Sequence, residues 1–386
     1  MNESRQVVVI GAGYAGVMAA NRILAARPPG VTVTVVNPRA DFVERIRLHQ
    51  YATGDAAATV PLTDVLDPSA RIRVATALRI EERAVLLDDG ERLPYDYLVY
   101  AAGSSAARGG HGAGEVHTIA ELEDATRLRD QLRTLPDGAV VTVVGGGLTG
   151  IECAAEIAER LPALDVHLIS SGPVAEHHPA SSRASIARTL AGLGVTVREG
   201  VRVDRVTEGR VVFDDGSTAA SDCTIWAGSF GVPDLARRSG LPVDEAGRLR
   251  TNEDLVCLGN PTVVGVGDAV APPARVAGHV RMSCQAALPL GAHGADTILA
   301  LLGDRATEPL SLGFVLQCVS LGRRAGAVQF VRADDSPHRF ALRGRSGAFV
   351  KEQVCRYTLK WLRSGTGSYR WRSGPAPVPA PDEMSA

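Results

Sequence analysis

The residues most able to do chemistry stand near the start of the chain. Val7-Val8-Val9-Ile10 runs directly into Gly11-Ala12-Gly13-Tyr14-Ala15-Gly16, and Val17, Ala20, Ile23 and Leu24 then recur at helical spacing. A β-branched run of this kind reads as a buried parallel strand, and G-x-G-x-x-G between a strand and a helix is a turn built to receive a pyrophosphate. Gly11 permits the tight turn, Gly13 lets backbone approach the phosphates, and Gly16 lets helix pack close on strand. The helix N-terminus adds free N–H groups and a partial positive charge. A second strand, Val31 to Val36, follows the Pro28-Pro29-Gly30 breaker and ends at Asn37. That end position normally carries an acid that holds a ribose 2′-hydroxyl. Asn37 accepts the same bond through its amide oxygen, without charge.

Beyond this strand, Arg45 and His49 are four apart, as are Arg47 and Tyr51, so each pair shares a face if the segment is helical. The two arginines read either as pyrophosphate contacts or as a solvated basic face. His49 reads either as a neighbour of a ring system or as an ordinary packed histidine.

The opening pattern then returns. Ala139 to Val144 is a strand, Gly145-Gly146-Gly147-Leu148-Thr149-Gly150 a turn, Ile151 to Leu161 a helix, and Val166 to Ile169 a second strand ending at Ser170. The repeat goes further: Val85-Leu86-Leu87-Asp88-Asp89-Gly90 recurs as Val211-Val212-Phe213-Asp214-Asp215-Gly216. An Asp follows at the same offset in each copy, Asp96 and Asp222, and then a buried strand ending in Ala101-Ala102-Gly103 or Ala227-Gly228-Ser229. Two copies of a dinucleotide-binding unit imply two dinucleotides brought together, and the chemistry that needs this is hydride transfer between nicotinamide and flavin. A third signature, Thr262 to Ala269, is a buried strand ending in Asp268, whose carboxylate can hold sugar or ribityl hydroxyls. The helical stretch from Met282 to Leu302 follows, its N-terminal dipole suited to negative charge on a reduced ring.

Composition limits the alternatives. At 386 residues the chain has room for two or three domains, and 45% hydrophobic residues supply a sizeable core. A net charge of -2 gives no reason to expect nucleic acid as a partner. No apolar run is long enough to span a membrane, and Met1 to Arg5 leaves no room for a signal peptide, so a cytoplasmic protein is expected. The six cysteines are scattered with no C-x-x-C or C-x-x-x-x-C pair, which suits a reducing compartment and argues against thiol-disulfide reduction.

With these marks the chain resembles the FAD/NAD(P)-binding pyridine-nucleotide oxidoreductases, and within them the type II NADH dehydrogenases and the apoptosis-inducing-factor-like flavoproteins, over about residues 5 to 363. The resemblance implies an α/β fold of two Rossmann-like, glutathione-reductase-like domains with a small C-terminal α+β region. The FAD domain would comprise residues 1–115 and 265–310, the NAD(P) domain 116–264, and the C-terminal region 311–363, with 364–386 a disordered tail. It assigns Gly11, Gly13, Tyr14, Ala15 and Gly16 to FAD, Asn37 to its ribose, Ala77 to its adenine by backbone contact and Asp268 to its ribityl chain. Arg45, Ala101 and Gly103 lie beside them. Gly145, Gly147, Leu148, Thr149 and Gly150 would bind NADH or NADPH, and Glu152 and Gln285 would sit near the flavin ring.

Two departures matter. Ser170 stands where the family has an acid, so a 2′-phosphate is not repelled there, yet no arginine is adjacent to grip it; Arg183, His177 and His178 are the nearest candidates. In the family's A-Q-x-A-x-Q register the chain reads Cys284-Gln285-Ala286-Ala287-Leu288-Pro289, so the second glutamine is lost. The implied activity is an FAD-dependent NAD(P)H oxidoreductase passing electrons to a quinone-like or small aromatic acceptor. Alternatives are a tailoring oxidoreductase acting on a specialised metabolite, a sulfide:quinone-type enzyme using Cys284, Cys318 or Cys355, and a non-enzymatic redox sensor. Val350, Val354, Tyr357 and Trp361 form an apolar stripe among basic residues, compatible with peripheral contact with the inner face of a membrane or with packing over the flavin domain. A monomer or homodimer is expected.

Overall fold

The computed structural model describes residues 4–54, 57–106, 116–228, 230–364 and 366–377. Strand Arg5–Ile10 lies inside a six-stranded sheet ordered Val256–Cys257, Asn260–Gly265, Tyr97–Tyr100, Arg5–Ile10, Val31–Asn37 and Arg71–Val74. All pairings are parallel except the outermost hairpin, Val256–Cys257 with Asn260–Gly265. Val7 to Val9, Val33, Val35, Leu98 and Val99 are buried, because both faces of a parallel sheet are covered, and this is why the strands read as unbroken apolar runs.

The second sheet is parallel throughout, in the order Val116–His117, Cys223–Trp226, Val140–Val144, Asp165–Ile169 and Thr196–Arg198. Counted outward from the strand that carries the glycine turn, the two sheets have the same order. The next two strands lie on one side and the returning strand on the other. Each unit carries a three-stranded antiparallel sheet before that return, Ala77–Ile80 to Arg92–Pro94 in one and Val203–Thr207 to Thr218–Ala220 in the other. The repeated aspartates do the same work: Asp96 Oδ2 accepts the Gln6 N–H and Asp222 Oδ2 the Val140 N–H, each at 2.7 Å. Each ties the foot of the first strand to the start of the returning one.

A third antiparallel sheet, Leu316–Leu321, Ala325–Val331 and Pro337–Arg343, supports helix Gly344–Arg363. A Cβ on Gly347 would land well inside contact distance of the Gly326 carbonyl, so helix and sheet meet backbone to backbone. Helix Cys284–Leu302 packs on helix Tyr14–Ala25 in the same way, with Gly291 against the Ala15 carbonyl.

Three expectations change. The expected domain boundary at 264/265 falls too late, because Val256–Cys257 and Asn260–Gly265 belong to the first sheet and Leu249–Arg250 pairs with Val270–Ala271. Residues 366–377, expected to be part of a disordered tail, pack on the chain: Trp371 Nε1 donates to Ser311 O at 2.8 Å and Gly313 N to Arg372 O at 2.8 Å. Residues 378–386 lie outside the described residues, as do 107–115 of the glycine-rich stretch. On helix Gly344–Arg363 the buried face is Gly347, Cys355, Thr358 and Leu362, whereas Tyr357 of the expected stripe is exposed, with Phe349 beside it.

Candidate functional site

The two glycine turns have the same geometry. Gly11 and Gly145 have φ of 98° and 130°, and a Cβ on either would clash with backbone of the returning strand's end, at Ala101 O or 2.8 Å from Ala227 C. A Cβ on Gly16 or Gly150 would collide with the Gly11 or Gly145 carbonyl, whereas Gly13 and Gly147 face open space. The residue that must stay bare for a phosphate to approach is therefore the one with nothing in front of it. Both following helices, Tyr14–Ala25 and Leu148–Arg160, begin without a side-chain cap and without an acid in the first turn, leaving their N–H groups to an anion.

Around the first turn the expected FAD residues gather. Arg45 donates through Nη1 to Ser104 O at 2.8 Å, while its Nη2 is buried with no hydrogen-bond partner among the described residues. Burial pulls its guanidinium pKa down, and nearby Asp268 opposes that. A buried donor without a partner is costly, and a cofactor phosphate would satisfy it. Asp268 accepts from Ser104 Oγ at 2.8 Å and from the Ser283 N–H at 3.2 Å, which sets it at the start of helix Cys284–Leu302. Gly103 (φ 67°) and buried Ala101 complete the floor, and Ala77 is buried at the start of its strand. Asn37 is committed within the protein: its Oδ1 accepts the Ala12 N–H at 3.0 Å and its Nδ2 donates to Arg39 O at 2.8 Å. Arg47 turns away from the turn, pairing with Glu352 at 3.0 Å and Glu44 at 3.4 Å, so of the two arginines Arg45 alone faces the cofactor cradle. The donor set, the bare Gly13 and the open helix end fit FAD.

Glu152 projects from the second turn's helix into a buried cluster assembled from four distant segments. Its Oε1 accepts the Ser320 N–H at 2.9 Å and pairs with Lys351 Nζ at 2.8 Å, both side chains being 12% exposed. Ser320 Oγ also contacts His49 Nε2 at 3.2 Å. Burial acts to raise the Glu152 carboxyl, but Lys351, His49 and the Ser320 N–H outweigh it and hold it below its ordinary range. Burial opposes the charge on Lys351, and Cys318 and Glu152 outweigh that, so its pKa lies well above normal. Glu152 is the partner that carries charge at neutral pH, since burial also raises the Cys318 thiol. His49 is pushed down to about 4, chiefly by burial, and is neutral. It joins the cluster through Ser320 Oγ.

Lys351 and Ser320 were not expected from sequence; the sole available signal was that Lys351 is one of two lysines in the chain. Gln285 accepts from Arg281 Nη2 at 3.0 Å, and Arg281 is held in turn by Asp335 at 2.5 Å and over the Phe314 ring at 4.1 Å. Gln285 thus positions Arg281. Cys284 is partly buried and Cys355 buried, both within the field of Lys351, and burial raises their thiols to about 12 and about 11, which makes them poor nucleophiles.

The comparisons show the family. Residues 5–291 match the family model described as pyridine nucleotide-disulphide oxidoreductase. The chain belongs to that family. It is 32% identical over 348 residues to an NADH dehydrogenase-like protein of Mycobacterium tuberculosis, covering 84% of this chain and 87% of the relative. It is also 27% identical over 320 residues to the type II NADH:quinone oxidoreductase of the same organism, covering 69% and 67%. Among solved structures, the sulfide:quinone oxidoreductase of Aquifex aeolicus superposes with a TM-score of 0.79 at 18% identity over 95% of this chain and 93% of that one, a likeness of fold. The protein is an NAD(P)H oxidoreductase that uses FAD.

Proposed function

We propose that the electrons leave to a quinone-like acceptor that approaches from the side of the C-terminal sheet and helix. The observation that carries this reading is the buried Glu152–Lys351–Ser320–His49 cluster, to which each of the three sheet regions contributes. FAD, bound in the cradle at the first glycine turn, supplies the ring that accepts a hydride from the nicotinamide and gives up electrons to the acceptor. The chain's own residues do the remainder. The two uncapped helix ends hold the pyrophosphates, Arg45 and Asp268 orient the cofactor between them, and Glu152 with Lys351 keeps one proton and one charge fixed where water is excluded.

A pocket of about 400 Å³ opens onto the cluster from outside, lined by Gln50, Ser320, Arg323, Lys351, Glu352 and Cys355 among others. Its volume falls in the range of small-molecule sites. Exposed Phe349 and Tyr357, with Arg356 and Lys360 on the same helix, support peripheral contact with a membrane surface as the route of a hydrophobic acceptor. Among the described residues no helix is long and apolar enough to cross a membrane.

The test is an anaerobic titration of the flavin-loaded protein with NADH and with NADPH, followed at the flavin absorbance, and then addition of a short-chain quinone. Bleaching by a nicotinamide and rapid return of colour with the quinone support the reading. Bleaching without recovery by any quinone would move the assignment to a tailoring enzyme or a redox sensor, and no bleaching at all would overturn the reductase reading.

A further inference from the structure

We propose that Glu176 and Glu199 together replace the acid missing at Ser170 and make the second glycine turn selective for NADH over NADPH. The inference rests on the reading that this turn binds the nicotinamide dinucleotide. In such a turn the adenosine ribose lies at the end of the second strand, where a carboxylate both accepts from the 2′-hydroxyl and repels a 2′-phosphate. Here strand Asp165–Ile169 is followed by Ser170, whose Oγ lies so close to the Gly146 backbone that a Cβ there would collide with it. A hydroxyl in that place adds no charge and reaches no further.

The charge comes instead from the chain on either side. After Ser170 the backbone doubles back onto the glycine turn: Ala175 N donates to Gly146 O at 2.9 Å, and Val174 Cα lies 3.3 Å from a Cβ built on Gly146. Ala175 adopts φ 55°, the left-handed region that a residue with a Cβ rarely enters, so the loop is held in one shape. Glu199, just past the end of the neighbouring strand Thr196–Arg198, accepts the Val174 N–H through Oε1 at 2.5 Å. Glu176 folds back so that its Oε2 lies 3.6 Å from a Cβ built on Gly172. Two carboxylates therefore border the loop that lies on the phosphate-binding turn.

Two of the cations nearest the turn are drawn elsewhere, while His177 is exposed beside Glu176 in sequence. Arg198 lies with its guanidinium 4.8 Å over the Phe213 ring. His178 is buried near Arg281 and Asp335, and burial lowers its pKa, so it stays neutral. Arg183 is one turn inside helix Ala180–Gly192, beyond the loop.

The experiment measures flavin reduction by NADH and by NADPH in anaerobic stopped flow, using the flavin-loaded wild type, Glu176→Gln, Glu199→Gln and the double variant. Glutamine at 199 keeps an oxygen for the Val174 N–H and removes the charge. The wild type should favour NADH by about tenfold or more, with the preference shrinking as salt is added. Each glutamine should raise the efficiency with NADPH several-fold, and the double variant more, so that the NADH-to-NADPH ratio falls stepwise. A wild type reduced equally well by both nucleotides would overturn the proposal. So would variants that alter both nucleotides alike, because the carboxylates would then act only by shaping the loop. Failure of either nucleotide to bleach the flavin would overturn the assignment of the turn itself, and is distinct from both of those results.

Discussion

Replacing Lys351 with methionine tests the cluster most directly. The pair it breaks is 2.8 Å long, with each side chain only 12% exposed. Removing one partner of a buried ion pair costs about 3–5 kcal/mol, chiefly because the other charge is left without compensation. Glu152 keeps the Ser320 N–H at 2.9 Å, so the lower end, about 3 kcal/mol at pH 8, is expected. The pH dependence provides a second check. In the wild type the folded Glu152 pKa is lowered, so its stabilisation is fully present above the unfolded value and is lost as pH falls through the lower folded one. Without Lys351, burial dominates and the folded pKa rises above the unfolded one. Glu152 then costs stability at pH 8 and stops doing so as it takes up a proton toward pH 5. Urea unfolding of the flavin-loaded proteins, followed by far-ultraviolet circular dichroism, should show a large Lys351→Met deficit at pH 8 that shrinks at pH 5. The Glu152→Gln/Lys351→Met pair should lose less than the sum of the single changes. A deficit below about 1 kcal/mol at pH 8, or one that does not change with pH, would refute the claim that this is a buried charged hub.

Other outcomes follow from the same structure. Gly13→Ala should fold normally but retain much less FAD after gel filtration, because its Cβ enters open space where a phosphate would lie; Gly16→Ala should fail to fold or lose about 3 kcal/mol, because its Cβ meets the Gly11 carbonyl. His49 stays neutral until about pH 4, whereas the unfolded histidine takes a proton near 6.5. Stability should therefore fall by roughly 3 kcal/mol from pH 7.5 to pH 4 on its account, and His49→Gln should remove that part of the slope in parallel urea titrations. Deleting residues from 364 onward should lower the thermal midpoint by the equivalent of about 2–4 kcal/mol, since Trp371 and Arg372 anchor that segment to Ser311, Gly313 and Phe314. An unchanged midpoint would mean that the segment does not pack in solution.

What could be read in the sequence was whatever repeats or acts locally. Strand, glycine turn and helix recur as contiguous pieces, so the two parallel units and the tight turns at Gly11, Gly16, Gly145 and Gly150 were visible before any fold was known, whereas the order of the strands was not. The aspartates at 96 and 222 were visible only as an echo, and the hydrogen bonds to Gln6 and Val140 supply their purpose. Whatever depends on which distant segments meet was not visible. Strand Asn260–Gly265 is apolar like any buried strand, and nothing local says that it joins Tyr97–Tyr100 rather than the second sheet, so the boundary was placed too late. Arg45 and Arg47 look alike in sequence, yet one faces the cradle and the other is drawn off by Glu352, 305 residues away. The same holds for the buried charged cluster. Glu152 and Ser320 are 168 residues apart, and His49 and Ser320 are 271 apart. The charged pair couples helix Leu148–Arg160 to helix Gly344–Arg363, with strand Leu316–Leu321 and His49 joined through Ser320. That coupling is a property of the tertiary contact alone, and no local pattern of residues encodes it.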